Sequence, residues 1–380
     1  TPTDTPVTGS PFGLGSDDTV SVPAASRNFQ GEVEPLPEAS FETGEDYKLF
    51  KLSGVPVAGF VSLARGSSTV VRYTDRATGH IFDMKLPVGE AGGESVEKVR
   101  ITNNTLPQIY EAYFRADGNA VLFRSLDGET VKNMSLSLTA SKATSSNGLY
   151  SVSLTLLRGS LDGISVGAGD TLVYEVRDSR AVVMSKFSGD GSKSLLSHPF
   201  TAWRTARLGT NTLLVTKPSF LLPGYAYSLT GQGALTKLVG PLSGLTAVAN
   251  PAGTTLLYSY SGAPSLFAKN LSNGTVTSLT PSTLADKCVG SVKEKNIFYC
   301  GAPSLGLSGN EPDQWYQGIT HFSDNIWSID TNSESSSVLV EPSSAFGLEL
   351  DIMNPSLSPD EKYFVFINKR DLSLWALRLK

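Results

Sequence analysis

The sequence predicts an all-β chain folded as one ring of seven four-stranded antiparallel units, and three observations predict it. Seven short, consecutively apolar runs recur, most of them roughly 40 to 50 residues apart, a period in the range of radially repeated blades. The chain holds Gly 36, Pro 21 and only 4 Met, and helical periodicity is nearly absent, which implies many turns and few long helices. Each apolar run is also bracketed by further strand-like runs, so that a repeat carries four strands.

The seven apolar runs are "VVRY" at 70–73, "VLF" at 121–123, "LVY" at 172–174, "LLV" at 213–215, "LLY" at 256–258, "IFY" at 297–299 and "FVF" at 364–366. Apolar residues at consecutive positions mark strands buried on both faces, the second strand of each unit. Runs such as "VAGFVSL", "IYEAYFR", "TAWRTAR", "LTAVANP", "CVGSVKE" and "NPSLSPD" precede them and read as innermost strands. A third strand follows in "HIFDMKL", "KNMSLSL", "AVVMSKF", "GYAYSLT", "SLFAKNL", "NIWSIDT" and "LSLWALRL". More polar runs, "SVEKVRIT", "LYSVSLTL", "KSLLSHPF", "ALTKLVGP", "TVTSLTP" and "SVLVEP", read as outer edges. Four strands in seven units make a seven-bladed β-propeller, a single domain over residues 46–380. The last unit runs out of chain before its outer strand, and "DYKLFKLSG" at 46–54 has the outer-strand pattern, so the N-terminal strand is expected to complete that blade and close the ring.

Residues 1–45 are rich in Thr, Pro, Gly and Ser and read as a flexible linker. The chain begins with Thr1 rather than Met, and the expectation is that a signal peptide or membrane anchor preceded the linker. No apolar run approaches the roughly 18 residues of a membrane span, so a membrane is expected only through that missing segment. A net charge of -5 argues against a nucleic-acid partner, which calls for a basic face.

The only two cysteines, Cys288 and Cys300, bracket "VGSVKEKNIFY". With a turn centred on Glu294 they oppose each other across a β-hairpin, where the Cα atoms of a directly opposed pair lie roughly 4.5 Å apart, within reach of a disulfide. The alternative is two buried thiols in a reducing compartment. The spacing and the expected export favour the disulfide.

The segment "MNPSLSPDEKYFVFINKRDLSLWAL" resembles the Ser-Pro-Asp repeat of TolB-like and WD-repeat-like propellers, and "VANPAGTTLLYSYSGAPSLFAKNL" and "YFRADGNAVLFRSLDG" are looser versions. The stretch "ADKCVGSVKEKNIFYCGAPSLGLSGNEPDQWYQGITHFSDNIWSID" is similar to a segment of exported WD-repeat-like propellers of Parcubacteria-type bacteria in the candidate phyla radiation. Those proteins pair a Cys-bracketed hairpin with an Asp-x-Trp-Tyr-Gln-Gly loop. The resemblance implies a propeller, export, and an N-terminal membrane segment with a linker; it implies no activity.

Candidate binding residues come from two places. The longest insertion, residues 301–324, carries Asp313, Trp315, Tyr316 and His321, an aromatic pair with polar groups suited to a sugar or a peptide. The opposing expectation is that Trp315 and Tyr316 fold back over a neighbouring blade. "TAWRTAR" places Trp203 and Arg204 on an innermost strand, where the guanidinium can hold an anion or pair with a carboxylate. No catalytic elbow, phosphate loop or metal-ligand spacing occurs, and His80, His198 and His321 fall in different units, so no catalytic residue, cofactor or metal is expected. The reading is therefore a non-catalytic module at the cell surface that binds a protein or glycan of the envelope. A propeller-type glycan hydrolase or lyase is the first alternative, and a self-assembling subunit of a surface array or filament the second.

Overall fold

The computed structural model describes residues 40–43, 47–86, 98–140, 149–199, 202–263, 265–307 and 310–379. They form seven antiparallel sheets arranged in a ring, six of them with their strands in sequence order from the axis outwards. Blade 1 comprises Val57–Arg65, Ser68–Asp75, Ile81–Lys85 and Lys98–Arg100, and blade 2 comprises Ile109–Phe114, Ala120–Asp127, Thr130–Ala140 and Tyr150–Leu157. Blade 3 comprises Leu161–Val166, Leu172–Val176, Ala181–Ser185 and Lys193–Ser197. Blade 4 is built from Trp203–Leu208, Asn211–Thr216, Pro223–Leu229 and Leu235–Ser243, and blade 5 from Thr246–Ala249, Thr255–Ser259, Leu266–Asn270 and Val276–Leu279. Blade 6 takes Cys288–Gly290, Ile297–Pro303, Asp324–Asp330 and Ser335–Val340.

Blade 7 is composite. Ile352–Leu357, Tyr363–Asn368 and Leu374–Arg378 supply three strands, and Tyr47–Ser53 pairs antiparallel with the last of them, Lys48 opposite Arg378 and Phe50 opposite Ala376. The N-terminal strand thus closes the ring. Ser40–Thr43, within the stretch read as linker, adds a fifth strand outside it. The rest of that stretch, residues 1–39 and 44–46, lies outside the described residues.

The blades pack face to face, which explains the consecutive apolar runs. Tyr363–Asn368 is buried along its whole length, and one cluster joins Tyr363, Val365, Ile367 and Leu374 of blade 7 to Val57, Val71, Tyr73 and Met84 of blade 1. Each such aliphatic or aromatic side chain stabilises by roughly 1.5–3 kcal/mol through burial. Near the axis the first strands crowd one another. A Cβ on Gly59 would stand 1.9 Å from the Ala112 carbonyl oxygen, and one on Gly163, with φ at +52°, 2.0 Å from that of Trp203, so neither position admits a larger residue.

Buried arginines clasp adjacent blades at matching positions of their second strands. Arg72 forms a bidentate pair with Asp83 at 2.7 Å and reaches the Gly118 carbonyl of blade 2 at 2.9 Å. Arg124 bonds Glu111 at 2.6 Å and the Leu161 carbonyl of blade 3 at 2.7 Å. At the next junction a carboxylate inverts the polarity: buried Glu175 accepts the backbone N–H groups of Ala202 and Trp203 at 3.1 and 2.8 Å.

Cys288 and Cys300 form a disulfide with Cα atoms 4.1 Å apart, directly opposed in the hairpin of blade 6. It closes a span of 12 residues, so replacing both cysteines with alanine is expected to cost about 3 kcal/mol, read from denaturant midpoints under non-reducing conditions. An unchanged midpoint would show that packing alone holds this hairpin.

Candidate functional site

In an up-and-down sheet, the loops after second strands and the crossings between blades emerge at one end, and the hairpins after first and third strands at the other. Residues 304–307 and 310–323, between the second and third strands of blade 6, lie on the first of these faces, as do the crossings into blades 6 and 7. The disulfide sits near this end of its hairpin, at the foot of the insertion.

The insertion is built around a five-residue helix, α1, Asp313–Gln317. Pro312 stands at its N-cap in helical conformation, and Gly318 ends it with a left-handed φ of 75°, its N–H returning to the Gln314 and Trp315 carbonyls. The Asp313 carboxylate accepts the Phe220 N–H of blade 4, and the Ser261 hydroxyl of blade 5 donates to the Glu311 carbonyl at 2.7 Å. Trp315 turns inwards to 3 % exposure against Leu284 and Phe322, and its Nε1–H donates to both oxygens of Asp351 at 2.9 and 3.1 Å. The insertion is therefore fastened to blades 4, 5 and 7.

Beneath Trp315 lies a fully buried charge cluster. Lys287, at the end of the one-turn Ala285–Lys287 segment that enters blade 6, donates to Asp324 and Asp351 at 2.6 Å each and to the Ile352 carbonyl at 3.2 Å. Its ammonium also faces the Trp315 and Phe322 rings at 4.9 and 5.0 Å. Two carboxylates share this one cation. Burial, reinforced by Asp351 and only partly offset by Lys287, pushes the Asp324 carboxyl up to about 6.

Beside the cluster, the Tyr316 hydroxyl donates to Asp286 at 2.6 Å. Arg204, the second residue of the innermost strand of blade 4, donates to both the Asp286 carboxylate and the Tyr316 oxygen, and its guanidinium lies 4.6 Å from the Tyr316 ring centre. Burial holds the Tyr316 hydroxyl well above the usual tyrosine range. Burial would lower Arg204, but Asp286 and Tyr316 outweigh it and raise the group further. Arg204 is still 43 % exposed.

The sequence-predicted residues therefore divide. Asp313, Trp315, Tyr316 and Arg204 belong to one connected arrangement, and His321 borders it with Nδ1 3.7 Å from Asp351. Trp203 faces the other way, buried between blades 3 and 4 with Nε1–H donating to His198 Nδ1 at 3.1 Å and an edge contact to Tyr227. The Trp315 indole is buried and bolts the insertion down, Trp203 is core, and Arg204 pairs with the Asp286 carboxylate.

Sequence reasoning missed Asp286, Lys287, Asp324 and Asp351, which come together only when blades 5, 6 and 7 are assembled. The one local signal was a charged Asp-Lys pair immediately before the Cys288 strand. It also missed a second polar junction at the starts of the first strands of blades 2 and 3. There Glu111 and Asp162 both approach Arg124, at 2.6 and 3.7 Å, with Tyr110 stacked below the guanidinium and Tyr113 donating to Glu111 at 3.1 Å. Arg177 also pairs with Asp162. Both carboxylates are thus engaged by guanidinium groups. Among the described residues no group of three or more His, Cys, Asp or Glu side chains is placed to hold a metal ion.

The geometry defines a β-propeller with a braced insertion on one face, and solved structures share the ring. A streptogramin B lyase superposes with a TM-score of 0.54 at 13% sequence identity, covering 88% of this chain and 98% of its own. A catalytically inactive virginiamycin B lyase from Staphylococcus aureus, solved with quinupristin, gives 0.51 at 11% identity, covering 88% and 100%. The WD40 repeats of RRP9 give 0.52 at 8% identity, covering 92% and 100%. At these identities the likeness concerns the fold alone. No protein-family model matches the chain, and no curated protein does.

Proposed function

We propose that this protein is an exported, non-catalytic binding module at the cell surface, and that the face bearing the insertion recognises a protein of the cell envelope. One observation carries the reading: a firmly braced insertion presents large apolar side chains to solvent. Leu305 is 99% exposed and Ile319, just after the α1 C-cap, 67%. Leu221 and Leu222, next to the amide that Asp313 accepts, are 79% and 66% exposed on the same face. Exposed apolar groups on a pre-organised frame suit association, because little ordering entropy remains to be lost on binding. The aromatic rings that would favour a glycan are committed to packing and to Arg204, whereas aliphatic exposure favours a protein. The disulfide supports an oxidising, extracellular setting. The hydrolase or lyase alternative is less well supported, because Glu111 and Asp162 converge with tyrosines but are both bound by arginines.

The test uses the full chain as bait on solubilised cell envelope, beside a Leu221→Lys/Ile319→Lys variant. Both substitutions are at exposed positions, so melting temperatures should agree within a degree or two, surface changes being worth at most about 0.5 kcal/mol. A protein captured by the parent and lost from the variant supports the reading. The same capture by both removes this face from consideration.

A further inference from the structure

The outer strand of each blade is the edge at which another chain can pair, and the described outer strands are blunted, with one exception. Lys98–Arg100 is 3 residues long with two cations, and Val276–Leu279 has 4. The register is shifted along Lys193–Ser197, Leu235–Ser243 and Ser335–Val340, the second of which also contains Lys237 and Pro241. In blade 7, Tyr47–Ser53 is covered by Ser40–Thr43. Tyr150–Leu157 of blade 2 differs from all of them. It has 8 residues, no charge, no proline and no glycine, and it pairs with Thr130–Ala140 without a shift from Tyr150↔Ala140 to Leu157↔Asn133.

This strand is two-faced in a way that continues its neighbour. Val152, Leu154 and Leu156 stand opposite Leu138, Leu136 and Met134, while Ser151, Ser153 and Thr155 stand opposite Thr139, Ser137 and Ser135. An apolar ladder and a hydroxyl ladder therefore both run out to the edge, with Leu154 44% and Leu156 60% exposed. The Tyr150 N–H donates to the Ile101 carbonyl at 2.8 Å, away from Thr130–Ala140. By the alternation of an antiparallel strand, the backbone groups of Val152, Leu154 and Leu156 also point outwards, and they have no partner among the described residues.

We propose that this edge pairs with the same edge of a second copy, so that blade 2 continues as one sheet across a two-fold axis. The strand is complementary to itself when antiparallel about Leu154. Leu154 then meets its own counterpart, Val152 meets the counterpart of Leu156, and Ser153 meets the counterpart of Thr155. This register uses all three outward-facing residues and leaves the Tyr150 amide on Ile101. Because the strand has no charge, self-pairing meets no repulsion, and an interface of this kind is isologous and closes at two copies. The surface is distinct from the insertion face, and the inference stands independently of the binding reading.

Sedimentation of the full chain over a concentration series is expected to show a monomer–dimer equilibrium, and Leu154→Lys, which sets two cations side by side at the axis, is expected to sediment as a monomer with the melting temperature that the parent shows at dilutions where it too is monomeric. Leu154→Cys should form a covalent dimer under mild oxidation, since the paired Cα atoms lie about 5.5 Å apart, within disulfide range. Leu156→Cys should not, because its counterpart is four residues out of register, about 13 Å away. A parent that stays monomeric at every concentration, a Leu154→Lys variant that still dimerises, or equal crosslinking at both positions overturns the proposal. A monomer whose Val152, Leu154 and Leu156 amides resist hydrogen exchange also overturns it, assigning the edge to a segment of the same chain.

Discussion

Lys287→Met is expected to lower stability by about 3–5 kcal/mol, because it leaves the Asp324 and Asp351 carboxylates buried without their cation. The pH dependence distinguishes this from a simple packing defect. A carboxyl whose folded-state pKa lies above its unfolded value keeps a proton that the unfolded chain releases. The stability it contributes is present below about pH 4 and is lost as pH rises through the folded value, about 6 for Asp324. Removing the cation takes away the group that partly offsets burial at Asp324 and pushes that carboxyl higher still, so the deficit of the variant should widen between about pH 5 and pH 8. Asp324→Asn supplies the contrast. It leaves Lys287 with Asp351 as a balanced pair, keeps an acceptor for Lys287 and for the Ile352 N–H, and should flatten the slope between about pH 4 and pH 6. Denaturant midpoints across this range measure both; a pH-independent deficit in Lys287→Met would mean that the cluster does not hold its charges as described.

The second large effect is expected at Trp315. Replacement by alanine empties the contact with Leu284 and Phe322 and takes from Asp351 its indole donor, a loss of about 3–5 kcal/mol. Most of it should fall locally, releasing the insertion while the ring persists, so that amides of residues 313–319 lose protection before those of the blades. Trp315→Phe keeps an apolar ring and removes only the N–H, and should cost about 1–3 kcal/mol, the penalty of a buried acceptor with one partner fewer. If amide exchange in residues 313–319 is unaffected by the alanine variant, the other fastenings, Asp313 on Phe220 and Ser261 on Glu311, hold the insertion without it.

The ring was legible because it depends on pattern. Second strands packed on both faces must be apolar at consecutive positions, and the count of such runs is the count of blades. The innermost strand of blade 3, Leu161–Val166, is not among the six runs named above as innermost, and its residues are less uniformly apolar for a physical reason: Asp162 serves an arginine clasp and Gly163 the close approach to Trp203. The opposition of Cys288 and Cys300 was legible from spacing alone, since it lies within one hairpin. The insertion resisted reading for the opposite reason. Trp315 and Tyr316 are adjacent on a short helix and point in different directions, one onto Asp351 and the other towards Arg204, and those partners come from blades distant in sequence. Local residue types specify an aromatic pair but not which ring is covered.

The closure of blade 7 bears on how the molecule comes apart. In an open stack of repeats the terminal units have one neighbour each and fray first. Here Tyr47–Ser53 is locked against Leu374–Arg378, so no blade is terminal and each is flanked on both sides. Opening the circle at that seam creates two ends at once and forfeits the longest-range strand pairing among the described residues, whose loop-closure entropy was spent in forming it. The protein should accordingly lose its structure as one cooperative event set by the seam, and a chain still emerging from its site of synthesis must hold Tyr47–Ser53 in reserve until Leu374–Arg378 arrives.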